Sequence, residues 1–498
     1  MSVPVLPRWA RAADYLTLLI VIVALMVAAL GGVRVRYHEW RFTMTSPYRL
    51  IVWAVALALV RHYFVRQQPI YRQLPADVAR WVQSTPFRAA AATFVGTRIA
   101  VFFVGYLAVF VIGYAPNVGP KPGEPPIRQF TNELMNLPLR WDSGWYLQIA
   151  ENGYQYTTRF GSAGQQNIVF FPAFPLTMRV LARLFGGGHG EFFLAGTLAA
   201  LAAFLGALVY LYLLARDELS DDQSRTALWF LAAYPFAYFY GAIYTESLFL
   251  LGTTGAFYHA RRGELVRAGL WSLMVGLTRP NGFLLSVPLA LLAISPWLPR
   301  WLVREDVPED APNDAPNDAE PRAAPTPPRT TARAIPALAA AAMSVVGMLI
   351  YSAFIWALTG NPFAWLIGHA AWGRRYSGLT ALVTDRYDYI ANAGLYGYVS
   401  QVPTDLLNAI GVVFVLATVW PVARRLGLAY AVFILINILP PLSDGGMLSA
   451  GRFTSVLFPS FIWLASAVPA HHRSGWIASF AANQALNAAL FYTWRPLY

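Results

Sequence analysis

Cysteine is absent from the 498 residues, which excludes disulfides and cysteine-based metal or redox sites and leaves the compartment open. Charge is scarce as well. Only 12% of residues are charged, about half the share of an ordinary soluble domain. Lysine is nearly missing, since Lys121 is the only one, and the arginine bias is a compositional mark of a high-GC genome. No Walker loop occurs, and no GxGxxG follows a strand, which disfavours a nucleotide ligand. The seven histidines offer one adjacent pair, His471 and His472, without an HExxH or a carboxylate triad. Neither a metal nor another cofactor is therefore expected.

What remains is mostly oil. Hydrophobic residues make up 57% of the chain and the mean hydropathy is +0.45. Apolar runs long enough to span a bilayer recur from position 15 almost to the C-terminus, so the expected class is an all-α polytopic membrane protein with about 13 transmembrane helices. The net charge of +12 sits mainly at the ends of those runs. There it orients helices and meets anionic headgroups, which makes membrane lipids the partner and not nucleic acid. The first run, 15–30, lacks a small-residue cleavage site and reads as a retained helix.

Arg8 and Arg11 favour a cytoplasmic N-terminus. Alternating polarity over 34–49 predicts a short outer β-hairpin within an N-terminal block of spans, 1–114, although its inner arginines run against the positive-inside rule. The basic segment 66–88 reads as a cytoplasmic loop, and 115–190 as the first large outer loop with interfacial helices. In that loop "IVFFPAFPLTMRVLARLFGGG" has two prolines and places Arg179 and Arg183 on one face, which suits a helix lying in the interface. A transmembrane block, 191–298, follows. The segment 299–334 is rich in proline and acid and reads as a disordered cytoplasmic linker. A C-terminal transmembrane block, 335–498, carries a second outer loop at 360–403.

The polar residues gather in the outer segments. In "RWDSGWYLQIAENGY", Trp141, Trp145 and Ile149 share one helical face, with Tyr146, Ala150 and Tyr154 beside it. Such a helix would lie along the membrane surface, aromatic side down. Asp142 stands at its start, either as an N-cap or presented to a cavity. Arg140 beside it would favour the charged carboxylate or meet a headgroup. Arg279 lies between apolar runs with Pro280, Asn281 and Gly282, a broken-helix signal of the kind that lines cavities. Glu246 in "YTESLF" is an acid inside an apolar stretch and a partner for Arg279, in a site or in a purely structural pair. Arg374, Arg375 and Arg452 fall at span ends, where each taken alone would snorkel to headgroups.

"RWDSGWYLQIAENGY" followed by "VFFPAFPLTMRVL" resembles the motif pair of the PIG-V mannosyltransferases, integral-membrane GT-C glycosyltransferases. The resemblance continues through "YPFAYFYGAIYTESLFLL", "GLTRPNGFLL", "GNPFAWLIGHAAWGRR" and "LSAGRFTSVLFPSF", in family order over 137–467. The first block and the acidic linker depart from the eukaryotic core, and the "TSPYR" hairpin is similar to those of bacterial GT-C enzymes. The resemblance implies a GT-C fold in a bacterial plasma membrane, its active site facing the periplasm or exterior. It implies transfer of mannose from a polyprenyl-phosphate donor to a lipid-linked or glycolipid acceptor, with inversion and with Asp142 as general base. By the same resemblance, Arg140, Trp141, Trp145, Tyr146, Glu246, Arg279, Asn281, Arg374, Arg375 and Arg452 would bind substrate. The alternatives are a transporter or flippase of a lipid-linked glycan, a non-catalytic scaffold, and transfer of another sugar or onto protein.

Overall fold

The protein is described from a computed structural model over residues 7–30, 33–37, 40–67, 69–116, 128–156, 164–295, 331–374, 376–444, 446–447 and 449–495. Arg375 and nearly all of the linker expected at 299–334 lie outside these residues. Among the described residues the regular structure is helical apart from one antiparallel hairpin, Val33–Tyr37 with Trp40–Met44, in the segment where the alternating pattern predicts it. The segment 66–88, expected as a loop, holds the helix Ile70–Gln83.

This is a polytopic membrane protein. Among the described residues, five helices are long and apolar enough to cross a membrane: Trp9–Ala28, Thr85–Val111, His189–Arg216, Ala334–Thr359 and Pro403–Leu426. Shorter apolar helices include Leu265–Gly276, Pro280–Ile294, Leu428–Leu442 and Phe458–Ala467. Some apolar stretches are interrupted near the site. The stretch 226–241 stops as a helix at Ala233 and continues after Pro235 as a 3₁₀ turn, Ala237–Gly241. Likewise the helix Leu265–Gly276 gives way to the 3₁₀ turn Pro280–Leu285, because proline ends the helical ladder there.

The chain divides into two compact units, residues 1–88 with 176–196, and residues 89–175 with 197–498. In the first, Asp14 and Arg61 join the helices Arg8–Leu30 and Pro47–Phe64 by a bidentate pair of 2.8 and 3.0 Å, both side chains 1% exposed. Two charges in so dry a place are tolerated because each neutralises the other, and Arg61 also donates to Asp14 Oδ2 and to the Val65 carbonyl.

The second unit contains every described candidate residue. There the helices Leu265–Gly276 and Thr331–Thr359 approach backbone to backbone. A Cβ on Gly276 would lie 1.9 Å from the Ser344 carbonyl oxygen, and one on Gly347 2.5 Å from that of Leu273. Small residues permit this contact, which is how helices gain packing where lipid supplies no hydrophobic drive. A second anchor is the buried cluster of Ile168, Phe171, Tyr351, Ile355 and Trp365. The Tyr351 hydroxyl donates to the Ile168 carbonyl at 2.7 Å, and Trp365 Nε1 donates to Ser352 Oγ at 3.0 Å. These contacts fix the segments around 168–171 and 364–372 on one long helix, and both segments line the site described next.

Gly276→Ala must push the two helices apart, at a cost of about 1–3 kcal/mol. A thermal melt in detergent should drop by several degrees, whereas Gly475→Ala, with nothing within 4 Å of its Cβ position, should not. Equal melts for the two variants would contradict the backbone-to-backbone contact.

Candidate active site

The Asp142 turn is pinned from behind. The Pro138 carbonyl accepts from the Ile243 N–H at 3.0 Å and from Ser143 Oγ at 3.1 Å. The Asp142 N–H donates to the Tyr244 hydroxyl at 3.0 Å, so the turn lies along the strand of chain leading into the helix Glu246–Arg261. Trp141 adopts a left-handed conformation, φ 52°, which costs a residue with a β-carbon about 1–3 kcal/mol and turns the chain sharply before Asp142. Its ring packs on Trp494, 5.2 Å between centroids. The helix Ser143–Asn152 then begins, and although Asp142 holds the N-cap position its side chain makes no capping hydrogen bond. Of the two roles its position allowed, the carboxylate takes the one facing a cavity.

That carboxylate is one end of a chain of charges. Arg452 NH1 donates to Asp142 Oδ2 at 3.0 Å, and Arg452 Nε reaches Glu246 Oε1 at 2.9 Å. Arg279 NH2 meets the same Glu246 oxygen at 3.0 Å. Glu246 is 0% exposed, while the Asp142 side chain keeps 23%. The two acids thus have different tasks. Glu246, itself out of reach of water, holds two guanidiniums in place, and Asp142 presents its carboxylate to the cavity. A fourth ion pair, Arg374 NH1 to Asp444 Oδ2 at 3.2 Å, stands at the cavity wall. All three guanidiniums converge on one ring: the carbons of Arg279, Arg452 and Arg374 lie 5.0, 5.6 and 5.9 Å from the Phe453 centroid. An aromatic face is a favourable neighbour for a cation and leaves its N–H groups free to turn elsewhere.

The cavity, about 670 Å³, is bounded by Asp142, Arg279, Arg374, Arg452 and a set of aromatic rings. Tyr146 meets Phe170 and Phe174 edge to face at 5.1 and 5.6 Å. Burial, ahead of the charge of Glu246, pushes its phenol up to about 12, so it stays neutral. His369 and Trp372 come from the segment 368–372. Burial and then Arg374 push His369 down to about 4, so at neutral pH it is an uncharged ring. His369 Nε2 and Trp372 Nε1 are buried and have no hydrogen-bond partner among the described residues.

The structure brings Asp142, Trp141, Tyr146, Arg279, Asn281, Arg374 and Arg452 to this one cavity, with Glu246 directly behind it. Asn281 Nδ2 donates to Asn437 Oδ1 at 2.8 Å, which braces the broken helix. Arg140 does not join them. Its guanidinium is wholly buried and donates to the backbone carbonyls of Tyr492 at 2.9 Å and Leu139 at 3.0 Å, and to that of Asn136. It ties the turn to the C-terminal helix and does not pair with the Asp142 carboxylate, because the left-handed Trp141 between them sends the two side chains apart. Trp145 is also behind the wall, stacked on Phe170 at 5.9 Å and edge-on to Trp372 at 5.3 Å. Arg375 lies outside the described residues. Sequence reasoning missed Asp444, Phe453, His369 and Trp372. Phe453, His369 and Trp372 lie inside the quoted motifs "LSAGRFTSVLFPSF" and "GNPFAWLIGHAAWGRR", and an acid in an otherwise apolar neighbourhood was the available signal for Asp444.

Removing one member of a buried ion network leaves uncompensated charge, at about 3–5 kcal/mol. Glu246→Gln should therefore lower the melting temperature far more than Asp142→Asn, whose partner can be reached by water. Equal losses would contradict the division of labour between the two acids.

Comparison with known proteins follows the same segments. Residues 120–293 match the family described as Mannosyltransferase (PIG-V). The human GPI alpha-1,6-mannosyltransferase 2 is 30% identical over 165 residues, covering 31% of this chain and 31% of that protein. Its mouse counterpart is 30% identical over 190 residues, covering 34% and 36%. The chain thus spans about a third of the length of these curated relatives. No solved structure matches it. The protein is PIG-V-like over 120–293, the segment that supplies Asp142, Glu246 and Arg279.

Proposed function

We propose that this protein is a membrane mannosyltransferase that moves mannose from a polyprenyl-phosphate donor to a lipid-linked or glycolipid acceptor. The observation that carries this reading is the pairing of one exposed carboxylate oxygen, on Asp142, with three arginines gathered around Phe453 in a single cavity. The PIG-V match over 120–293 supplies the sugar and the reaction class.

The chemistry is a single displacement. Asp142 takes the proton from an acceptor hydroxyl as its oxygen attacks the mannose C1. The bond from C1 to the phosphate oxygen breaks, the anomeric centre inverts, and the polyprenyl phosphate leaves with the electron pair. Arginine forks match phosphate oxygens in bidentate geometry, and in a cavity of low dielectric they stabilise the developing charge more than they would in water. The aromatic wall of Tyr146, Phe170 and Trp372 suits a sugar face and a prenyl chain. Asp142 serves as the base, and Glu246 does not, because Glu246 is shut away from the cavity between two guanidiniums. In the bacterial plasma membrane, with the cavity at the outer surface, a lipid-borne sugar would arrive at headgroup depth.

The test is transfer of labelled mannose from polyprenyl-phosphate mannose to membrane lipid by purified protein. General-base assistance is worth about 10²–10⁴-fold, so Asp142→Asn should lose that much rate while remaining as monodisperse as wild type. Equal transfer by both would remove Asp142 from the chemistry, and no transfer by wild type would remove the donor class.

A further inference from the structure

We propose that Asp444 is a stand-in for the donor phosphate: its carboxylate holds Arg374 in place, and the entering phosphate takes that carboxylate's position on the guanidinium. The inference rests on the reading of the cavity as a lipid-phosphate site.

The first support is charge. Among the described residues, the cavity and the layer behind it carry three arginines, Arg279, Arg374 and Arg452, and three acids, Asp142, Glu246 and Asp444, paired by the contacts already given. A phosphate entering this balanced set adds negative charge to a place of low dielectric unless it displaces a carboxylate from its arginine. Only one acid is suited to give way. Glu246 is 0% exposed and holds two guanidiniums. Asp142 is fixed through its own N–H to Tyr244 and is needed where it stands. Among the described residues Asp444 meets Arg374 through one oxygen at 3.2 Å, and the two side chains are 21% and 19% exposed. Both line the cavity.

The second support is how Asp444 is mounted. The carbonyl of its neighbour Ser443 accepts from the Ser377 and Gly378 N–H groups at 2.9 and 3.0 Å, so the backbone beside Asp444 is held on the segment that follows Arg374. The carboxylate can turn away while the backbone stays. Carboxylate and phosphate offer a guanidinium the same pair of acceptor oxygens, which is what lets one substitute for the other. The exchange also sets selectivity. Headgroup phosphates are abundant at a bilayer surface, and each must outcompete Asp444 before it occupies Arg374. A donor that gains further contacts from its sugar and chain can do so.

The experiment measures binding of a polyprenyl phosphate, and separately of mannose 1-phosphate, to the full-length protein in nanodiscs. Asp444→Asn should bind the polyprenyl phosphate about tenfold more tightly than wild type. The gain should vanish in the background of Arg374→Gln, and Asp444→Glu should keep wild-type affinity. Asp444→Ser serves as a second neutral variant should the Asn form fail to fold. A merely structural Asp444 would give weaker binding in both neutral variants, independent of Arg374, and that result would overturn the proposal, as would unchanged affinity. Tightening with both probes, or with the polyprenyl lipid alone, supports it, the latter assigning the site to lipid-borne phosphate. Tightening with mannose 1-phosphate alone overturns it for a lipid donor. Absence of binding by wild type and all variants would instead overturn the donor reading itself.

Discussion

Glu246 is a carboxylate that water does not reach, and burying it requires two guanidiniums on one of its oxygens. An unpaired acid there would cost several kcal/mol, so Arg279 and Arg452 are held wherever Glu246 is held. This single constraint draws together three segments far apart in sequence. "TRPNG" must break its helix so that Arg279 can turn inward. "AGRF" must begin its short helix so that Arg452 can reach back. The turn before Glu246 must receive the Asp142 segment, which it does through Tyr244 and Ile243. Asp142 is placed by the other end of the same arginine.

Pairing Arg279, Arg374 and Arg452 with acids makes their charges tolerable at membrane depth. It also means that the site is not a simple positive hole waiting for an anion. Ligand binding is an exchange of partners, and its selectivity comes from how firmly each resident carboxylate is held. The gradient from Glu246, fully enclosed, through Asp142 and Asp444, partly open, orders the acids by what they can do. The innermost organises, and the outer ones take part.

Much of this was legible in sequence, for identifiable reasons. An acid or arginine inside an apolar run is costly and therefore informative, which is why Glu246, Arg279 and Asp142 stood out. The break at Pro280–Gly282 was visible because proline cannot continue a helix. Arg140 was misread because proximity in sequence is not proximity in space: with Trp141 at φ 52°, neighbours two apart face different ways. Asp444, His369 and Trp372 were missed because their meeting with the Asp142 turn depends on how separate loops fold over one cavity, which no local period encodes. Where apolar runs are interrupted near the site, a hydropathy window cannot distinguish a rod from a short helix and a 3₁₀ turn, which is why the shape of 226–241 was not legible.

The most direct measurement is an electron cryomicroscopy structure of Asp142→Asn in lipid nanodiscs with polyprenyl-phosphate mannose bound. Phosphate density is expected within hydrogen-bond reach of Arg374 and Arg452 beside the Phe453 ring, with the mannose C1 on the side of position 142. Density for the donor elsewhere, with the Arg452 and Arg374 ion pairs undisturbed and the cavity empty, would contradict the assignment of this cavity as the place of transfer.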